Sequence, residues 1–237
     1  MVAMYIFLFM LEFILELTQK TLFSLKNFQQ EALLKKIEYV VFDFGGVISK
    51  KQNEEIVKKM CRILNIQTTE FESLYTAQRR EYDSGIIDAK TYWQRTVKLI
   101  DKKVEQKDLD RLIEYDIQSW LDINQEMIEY IKSIRGIVTL GLLSNMTYDT
   151  LKELNNVYWK DYFKAKTLSC KAKVAKPDFR IYNICLKALN AKPYQVLFVD
   201  DSEANIDAAW KMGINVIKFT DCKTMKSIIE NEYILGN

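Results

Sequence analysis

Tyr39-Val40-Val41-Phe42-Asp43-Phe44-Gly45-Gly46-Val47-Ile48 sets four apolar residues, mostly β-branched or aromatic, ahead of one carboxylate and a glycine pair. A continuous apolar run of that length, closed by glycines, reads as a strand buried on both faces, as in a parallel sheet. Asp43 then stands at the strand's end. Ionised carboxylates are seldom buried without a partner, and glycine lets the backbone turn sharply or lets another group come close. The segment Asp43-Phe44-Gly45-Gly46 equally suits a turn or a helix cap, so the choice rests on what lies downstream.

There, a helical pattern through Met127, Tyr130, Ile131 and Ile134 stops near Gly136, and Ile137 to Leu143 forms a second buried strand ending on Ser144-Asn145. A strand end offering a hydroxyl, an amide and free backbone N–H groups suits a phosphate or carboxylate, although Ser-Asn is also ordinary cap chemistry. Leu151 to Tyr162 reads as helix, followed by a basic stretch from Lys164 to Lys176 that closes on Pro177. Lys176-Pro177-Asp178 reads as the entry to a further helix. Gln195 to Val199 is a third buried strand closing on Asp200-Asp201, a helix runs from about Glu203 to Met212, and Ile214 to Phe219 is a fourth strand.

Strands alternating with helices imply an α/β fold with a doubly wound parallel sheet, whose sites lie in the crevice at the carboxyl ends of the strands. Asp43, Ser144 and the Asp200-Asp201 pair each close a separate strand. With Lys176 between the last two, one rim gathers three carboxylates, a hydroxyl and an ammonium. That grouping is costly as structure alone and sensible around a bound cation and a phosphate. A receiver domain offers similar groups but carries its acidic pair on the first strand rather than the last.

Between the first two strands, apolar residues recur at helical spacing over Lys51 to Leu64 (Ile56, Met60, Ile63) and Thr69 to Arg80 (Phe71, Leu74, Tyr75). Asp83-Ser84-Gly85 breaks the pattern before it resumes through Tyr92, Trp93 and Val97 and again through Leu109, Leu112 and Ile117. The expected organisation is an N-terminal helical extension over residues 1–36, a core from 37–50 and 123–237, and an all-helical insert over 51–122. Met1 to Leu17 is apolar apart from Glu12 and Glu16, without the basic start of an export signal or the length of a membrane span. It reads as a helix packing on the body or on a second copy, making a homodimer, rather than as a membrane anchor.

Composition narrows the chemistry. The 237 residues are 49% hydrophobic, enough for a proper core, and the net charge of +2 is spread with both signs interleaved, so nothing calls for a nucleic acid. Four widely spaced cysteines, Cys61, Cys170, Cys185 and Cys222, fit reduced thiols in a cytoplasmic protein better than a disulfide framework. The chain has no histidine, which removes Ser-His-Asp and Cys-His catalysis and most zinc sites. What remains is carboxylate, lysine, hydroxyl and metal chemistry.

Asp43-Phe44-Gly45-Gly46-Val47, Leu143-Ser144-Asn145, Lys176-Pro177 and Val199-Asp200-Asp201-Ser202-Glu203 resemble, in order, the four motifs of the haloacid dehalogenase-like hydrolase superfamily. The insert resembles the helical cap of its small-molecule phosphatases and haloacid dehalogenases. The resemblance implies a Rossmann-like core and a phosphatase of a small phosphorylated metabolite. It implies Asp43 as nucleophile forming an aspartyl-phosphate, and Ser144 and Lys176 as stabilisers of the transferring group, with Gly46 and Asn145 also at the substrate. It further implies Mg²⁺ held by Asp43, the Gly45 carbonyl, Asp201 and, through water, Asp200. The alternatives it leaves are a metal-free haloacid dehalogenase and a non-catalytic binding protein.

One position departs from the pattern. Most phosphatases of the superfamily carry a second aspartate two residues after the nucleophile, as acid for the leaving group and base for the water; here that residue is Gly45. Either the substrate has a leaving group that needs little protonation, such as an acyl, aryl or anomeric phosphate, or a cap acid such as Glu81 or Asp83 stands in.

Overall fold

The computed structural model describes residues 37–234 together with Thr18. The N-terminal extension, with the dimer and membrane questions attached to it, lies outside the described residues. Among the described residues no helix is long and apolar enough to cross a membrane.

Five parallel strands form one sheet: β1 (Tyr39–Phe42), β2 (Thr139–Ser144), β3 (Ala165–Leu168), β4 (Val196–Asp200) and β5 (Asn215–Lys218), in the order β3-β2-β1-β4-β5. The helices are α1 (Glu54–Leu64), α2 (Thr68–Thr76), α3 (Arg79–Asp83), α4 (Ala89–Leu99), α5 (Gln106–Ser119), α6 (Gln125–Ile134), α7 (Tyr148–Glu153), α8 (Ser169–Ala172), α9 (Phe179–Leu189), α10 (Glu203–Lys211) and α11 (Cys222–Ile228). Because side chains alternate along a strand, β1 sends Val40 and Phe42 to one face and Val41 to the other. The first face packs with Leu197 and Val199 on Met127 and Ile131 of α6 and Met225 of α11. The second packs with Phe198 and Leu143 on Ile181, Tyr182 and Leu189 of α9 and Ala209 of α10. Both faces are covered, which is why these strands are apolar without alternation. The four cysteines are free and buried.

Helices α1 to α5 gather their own core, from Met60 and Leu64 through Phe71, Tyr75, Tyr92 and Trp93 to Leu112. The chain leaves the sheet and returns to it along adjacent segments: Lys50 N–H donates to the Asp122 carbonyl at 2.7 Å and Asn124 N–H to the Ile48 carbonyl at 2.9 Å. Asn53 caps α1 by accepting from the N–H groups of Glu55 and Ile56, so the helix begins three residues later than the apolar spacing suggests.

The structure corrects the expected elements in three places. A fifth strand, β3, lies inside the basic stretch after Lys164. It is an edge strand with Lys166 exposed between the buried Ala165 and Thr167, a placement of lysine that protects edges from further pairing. The single helix expected over Leu151 to Tyr162 is instead α7 followed by two 3₁₀ turns, interrupted after Asn155-Asn156 so that both Leu154 and Trp159 reach the core. The helix expected through Arg80 stops at Thr76 and resumes as α3, which re-aims Arg79 and Asp83.

Candidate active site

Asp43 follows β1 directly, and its N–H extends the ladder to the Val199 carbonyl at 2.9 Å. Its Oδ1 accepts from the Phe44 N–H at 2.7 Å and from Lys176 Nζ at 2.8 Å. The chain then turns through Gly45 and Gly46 before Val47 and Ile48 sink into the core. Gly46 has φ 75°, and a Cβ there would overlap the Asp201 carboxylate, whose Cγ would lie at 2.7 Å. Position 46 is therefore glycine on two counts, a left-handed backbone and the close approach of a second acid.

Lys176 is buried between two carboxylates, reaching Asp43 Oδ1 and, at 2.6 Å, Asp200 Oδ2, with a third bond of 3.1 Å to the Leu143 carbonyl. Burial alone would discharge it; Asp200 and Asp43 outweigh burial and hold its pKa above the usual lysine value. The Asn145 side chain brackets the lysine's backbone, its Oδ1 accepting from Lys176 N–H at 2.8 Å and its Nδ2 donating to the Lys176 carbonyl at 3.0 Å. Asp200 is wholly buried and also accepts from the Ser202 N–H and from Asn205 Nδ2. Asp201 is half-buried, and no side-chain hydrogen bond reaches its carboxylate among the described residues. One oxygen from each of Asp43, Asp200 and Asp201 lies within 4.8 Å of the others. Burial pushes Asp43 up to about 7, Lys176 opposing and Asp200 and Asp201 adding to the shift; Asp201 is also raised, by burial and then by Asp200.

Above this rim is a cavity of about 190 Å³ lined by Asp43, Gly45, Asp201 and Asn145 on the sheet side and by Tyr75, Arg79, Asp83 and Trp120 on the cap side. Arg79 is held on every side. Its Nη1 donates to both oxygens of the buried Asp116 at 2.7 and 2.9 Å, its Nε to Asp83 Oδ1 at 2.8 Å, and its guanidinium lies 4.5 to 5.4 Å from the rings of Tyr75, Tyr82 and Tyr92. Tyr75 Oη donates to Asp116 at 2.6 Å and accepts from Trp120 Nε1 at 3.1 Å. This fixes the indole beside Gly45, where a Cβ would meet Trp120 Cζ3 at 3.3 Å. The cap is tied to the sheet domain by Tyr82 Oη on Asp149 at 2.9 Å and by Ser169 Oγ on the Asp83 carbonyl at 2.6 Å.

The rim residues expected from sequence thus fall together: Asp43, Lys176, Asp200 and Asp201 at the ends of β1 and β4, with Gly45 and Gly46 in the turn. Ser144 is buried at the end of β2, its hydroxyl making, among the described residues, only a 3.4 Å bond to the Asn145 carbonyl. Of the two cap acids singled out, Asp83 lines the cavity, whereas Glu81 faces outward and pairs with Arg95 at 2.7 Å. The sequence pattern places Trp120 on the apolar face of a helix and singles out neither Arg79 nor Asp116. Their signal was an arginine and an aspartate at apolar positions among aromatics, legible only once burial is known.

Residues 37–213 match the haloacid dehalogenase-like hydrolase family. Among curated proteins, the chain is similar to the D-ribitol-5-phosphate phosphatase of Bacteroides thetaiotaomicron, at 24% identity over 77% of this chain and 91% of that protein. It is also similar to the phosphorylated carbohydrates phosphatase of Thermotoga maritima, at 31% identity over 39% of this chain and 43% of that protein. Coverage of the curated relatives falls as low as 10% of another protein's length. Among solved structures, a HAD family enzyme from B. thetaiotaomicron in complex with magnesium and inorganic phosphate shares the fold, with a TM-score of 0.64 at 22% identity over 78% of this chain and 94% of that one. With four ordered motifs converging on one rim and the family match spanning most of its length, the chain belongs to the haloacid dehalogenase-like hydrolases.

Proposed function

We propose that the protein is a Mg²⁺-dependent phosphatase that hydrolyses a small phosphorylated metabolite through an aspartyl-phosphate on Asp43. The observation that carries this reading is the charge at the rim, three converging carboxylates against one ammonium. The donor set consists of hard oxygens, and among the described residues no side-chain hydrogen bond reaches Asp43 Oδ2 or the Asp201 carboxylate, which suits magnesium. Asp43 and Asp201 would hold the ion together with the Gly45 carbonyl, while Asp200, saturated by Lys176, Ser202 and Asn205, would reach it through water. When bound, Mg²⁺ draws charge from the phosphoryl oxygens.

In this reading Asp43 attacks phosphorus in line, because β1 and the Phe44 N–H fix its carboxylate at the cavity floor. Lys176 stays charged between Asp43 and Asp200 and offsets the negative charge that gathers on the transferring group. Ser144, with its weakly engaged hydroxyl, donates to a phosphoryl oxygen. Asn145 holds the backbone of Lys176 through both ends of its amide and, lining the cavity with one Nδ2 N–H unused among the described residues, donates that hydrogen to substrate. Gly46 gives Asp201 room. The cavity, about 190 Å³, suits a phosphoryl group with a small leaving group. The names of the two phosphatase relatives support a phosphorylated carbohydrate. Metal-free displacement of halide by Asp43 would leave Asp201 without a role.

The test is phosphate release from acetyl phosphate, p-nitrophenyl phosphate and D-ribitol 5-phosphate, with Mg²⁺ and with chelator, for the native chain beside Asp43→Asn. Release that requires both the metal and Asp43 supports the reading. Turnover that persists in chelator or in Asp43→Asn, or silence from a folded protein, overturns it.

A further inference from the structure

We infer that the proton donor and acceptor of this reaction is Asp83, carried by the cap on the wall of the same cavity that Asp43 floors. The inference rests on the phosphatase reading above and names the group that position 45 lacks.

Position 45 lacks a carboxylate and is crowded besides. Gly45 has ordinary backbone angles, φ −68° and ψ 125°, that any residue adopts, so it is not glycine for conformational reasons. A Cβ there would stand 3.3 Å from the Trp120 ring, tighter than an ordinary contact, and that ring is held by Tyr75 Oη, itself held by Asp116. An acid must therefore reach the substrate from elsewhere, and Asp83 is the carboxyl that shares the cavity with Asp43 and Asp201 without sharing their rim.

Its setting is that of a positioned acid. Oδ1 accepts from Arg79 Nε at 2.8 Å, and Oδ2 receives no hydrogen bond among the described residues. The arginine cannot swing, being forked onto Asp116 and packed against three tyrosine rings. Asp83's own carbonyl is fixed to the sheet domain through Ser169. One end of the carboxyl is thus oriented and the other is left for substrate, as general acid–base catalysis requires. The charges facing it are Arg79 and Asp116 in the cap and Lys176 below. Burial raises its pKa despite Arg79, which favours a retained proton.

The step balances. As Asp43 bonds to phosphorus and the bond to the leaving oxygen breaks, Asp83 gives its proton to that oxygen, releasing an alcohol. Water then attacks the aspartyl-phosphate, its proton passes to Asp83, and inorganic phosphate leaves with Asp43 and the Asp83 acid restored.

Asp83→Asn keeps the acceptor for Arg79 Nε and removes the proton. With the full chain and Mg²⁺, it is expected to lower kcat/KM for D-ribitol 5-phosphate by ~10²- to 10⁴-fold, while kcat/KM for acetyl phosphate, whose leaving group needs no proton, changes little. On both substrates kcat falls, because the water step is shared. Mg²⁺ binding by calorimetry should be unchanged. Equal losses of kcat/KM on both substrates, or none on the alkyl phosphate, would overturn the assignment while leaving the Asp43 chemistry standing. Silence of the native chain on every substrate would overturn both. Should Asp83→Asn not fold, the native chain decides. With an acid in place the alkyl phosphate is hydrolysed within about 10² of the p-nitrophenyl ester, and a gap beyond about 10⁴ removes Asp83 from the role.

Discussion

Among the described residues, the buried Lys176 and the largely enclosed Arg79 each stand between two aspartates, and the difference between them is instructive. Lys176 joins Asp43 to Asp200 at the ends of β1 and β4; Arg79 joins Asp83 to Asp116 in the cap. Lysine is a compact point charge, and the third carboxylate nearby, Asp201, leaves the rim with two excess negative charges. Arginine is a planar fork enclosed by aromatic rings, and its cluster is left with one. An excess of two is what a divalent cation removes, and an excess of one is what a proton removes. On the proposed reading, the same local device prepares one place for metal and the other for acid.

The strongest way to break this comparison is to remove the nucleophile. Asp43→Asn should reduce phosphate release by about 10⁴-fold or more, as loss of a covalent nucleophile does elsewhere; residual release near native level in a steady-state assay would show that the rim is not the reacting centre. Next come the cations themselves. Lys176→Met and Arg79→Met each leave a buried aspartate uncompensated, and each should cost about 3–5 kcal/mol in urea unfolding. A much smaller loss for Arg79→Met would mean the cap cluster is not pinned as described.

Magnesium separates the two clusters more gently. At a concentration a hundredfold above its Kd it should stabilise the native chain by about 2.7 kcal/mol, read as a shift in thermal unfolding. That increment should vanish in Asp201→Asn and persist in Asp116→Asn; the reverse pattern would place the metal in the cap. Gly45→Asp should not improve catalysis and should destabilise by about 1–3 kcal/mol, since the new side chain meets the Trp120 ring. A rate gain without loss of stability would show that the indole yields.

The smallest effect is one of pH. Asp83 is an acid whose folded pKa lies above its unfolded one, so the folded state holds its proton more tightly. Its stabilising contribution is full below the unfolded pKa and fades as pH rises through the folded value. Native chain and Asp83→Asn should therefore diverge from about pH 4 upward, the variant gaining relative stability in thermal melts. A pH-independent difference would mean that Asp83 titrates normally.

The rim was legible in the sequence because strand ends are written in one dimension: an apolar run, then the residue that follows it. Asp43, Ser144 and Asp200 could be placed by that rule, and Lys176 by the helix that begins just after it. The fifth strand was not, because an edge strand with an exposed lysine lacks the apolar run that marks its neighbours. The cap wall was illegible for another reason. Tyr75, Arg79 and Asp83 come from two helices broken at Ala77-Gln78, and Asp116 and Trp120 arrive some forty residues later, so no local period links them. The turn at Asp83-Ser84-Gly85 marked where the chain bends but not which acid would face inward; burial decided between Glu81 and Asp83.

One hydroxyl joins the two halves of the site. Ser169 Oγ donates to the Asp83 carbonyl and accepts from the Met146 N–H at 2.8 Å, in the loop that follows Asn145. Cap and floor are therefore geared together: lifting the cap removes a partner from the hydroxyl that also satisfies a buried N–H below. On the proposed phosphatase reading, a product leaving past the cap would loosen the loop that positions Lys176. In Ser169→Ala the two movements are uncoupled, and turnover limited by release would quicken even as the chemical step loses its alignment.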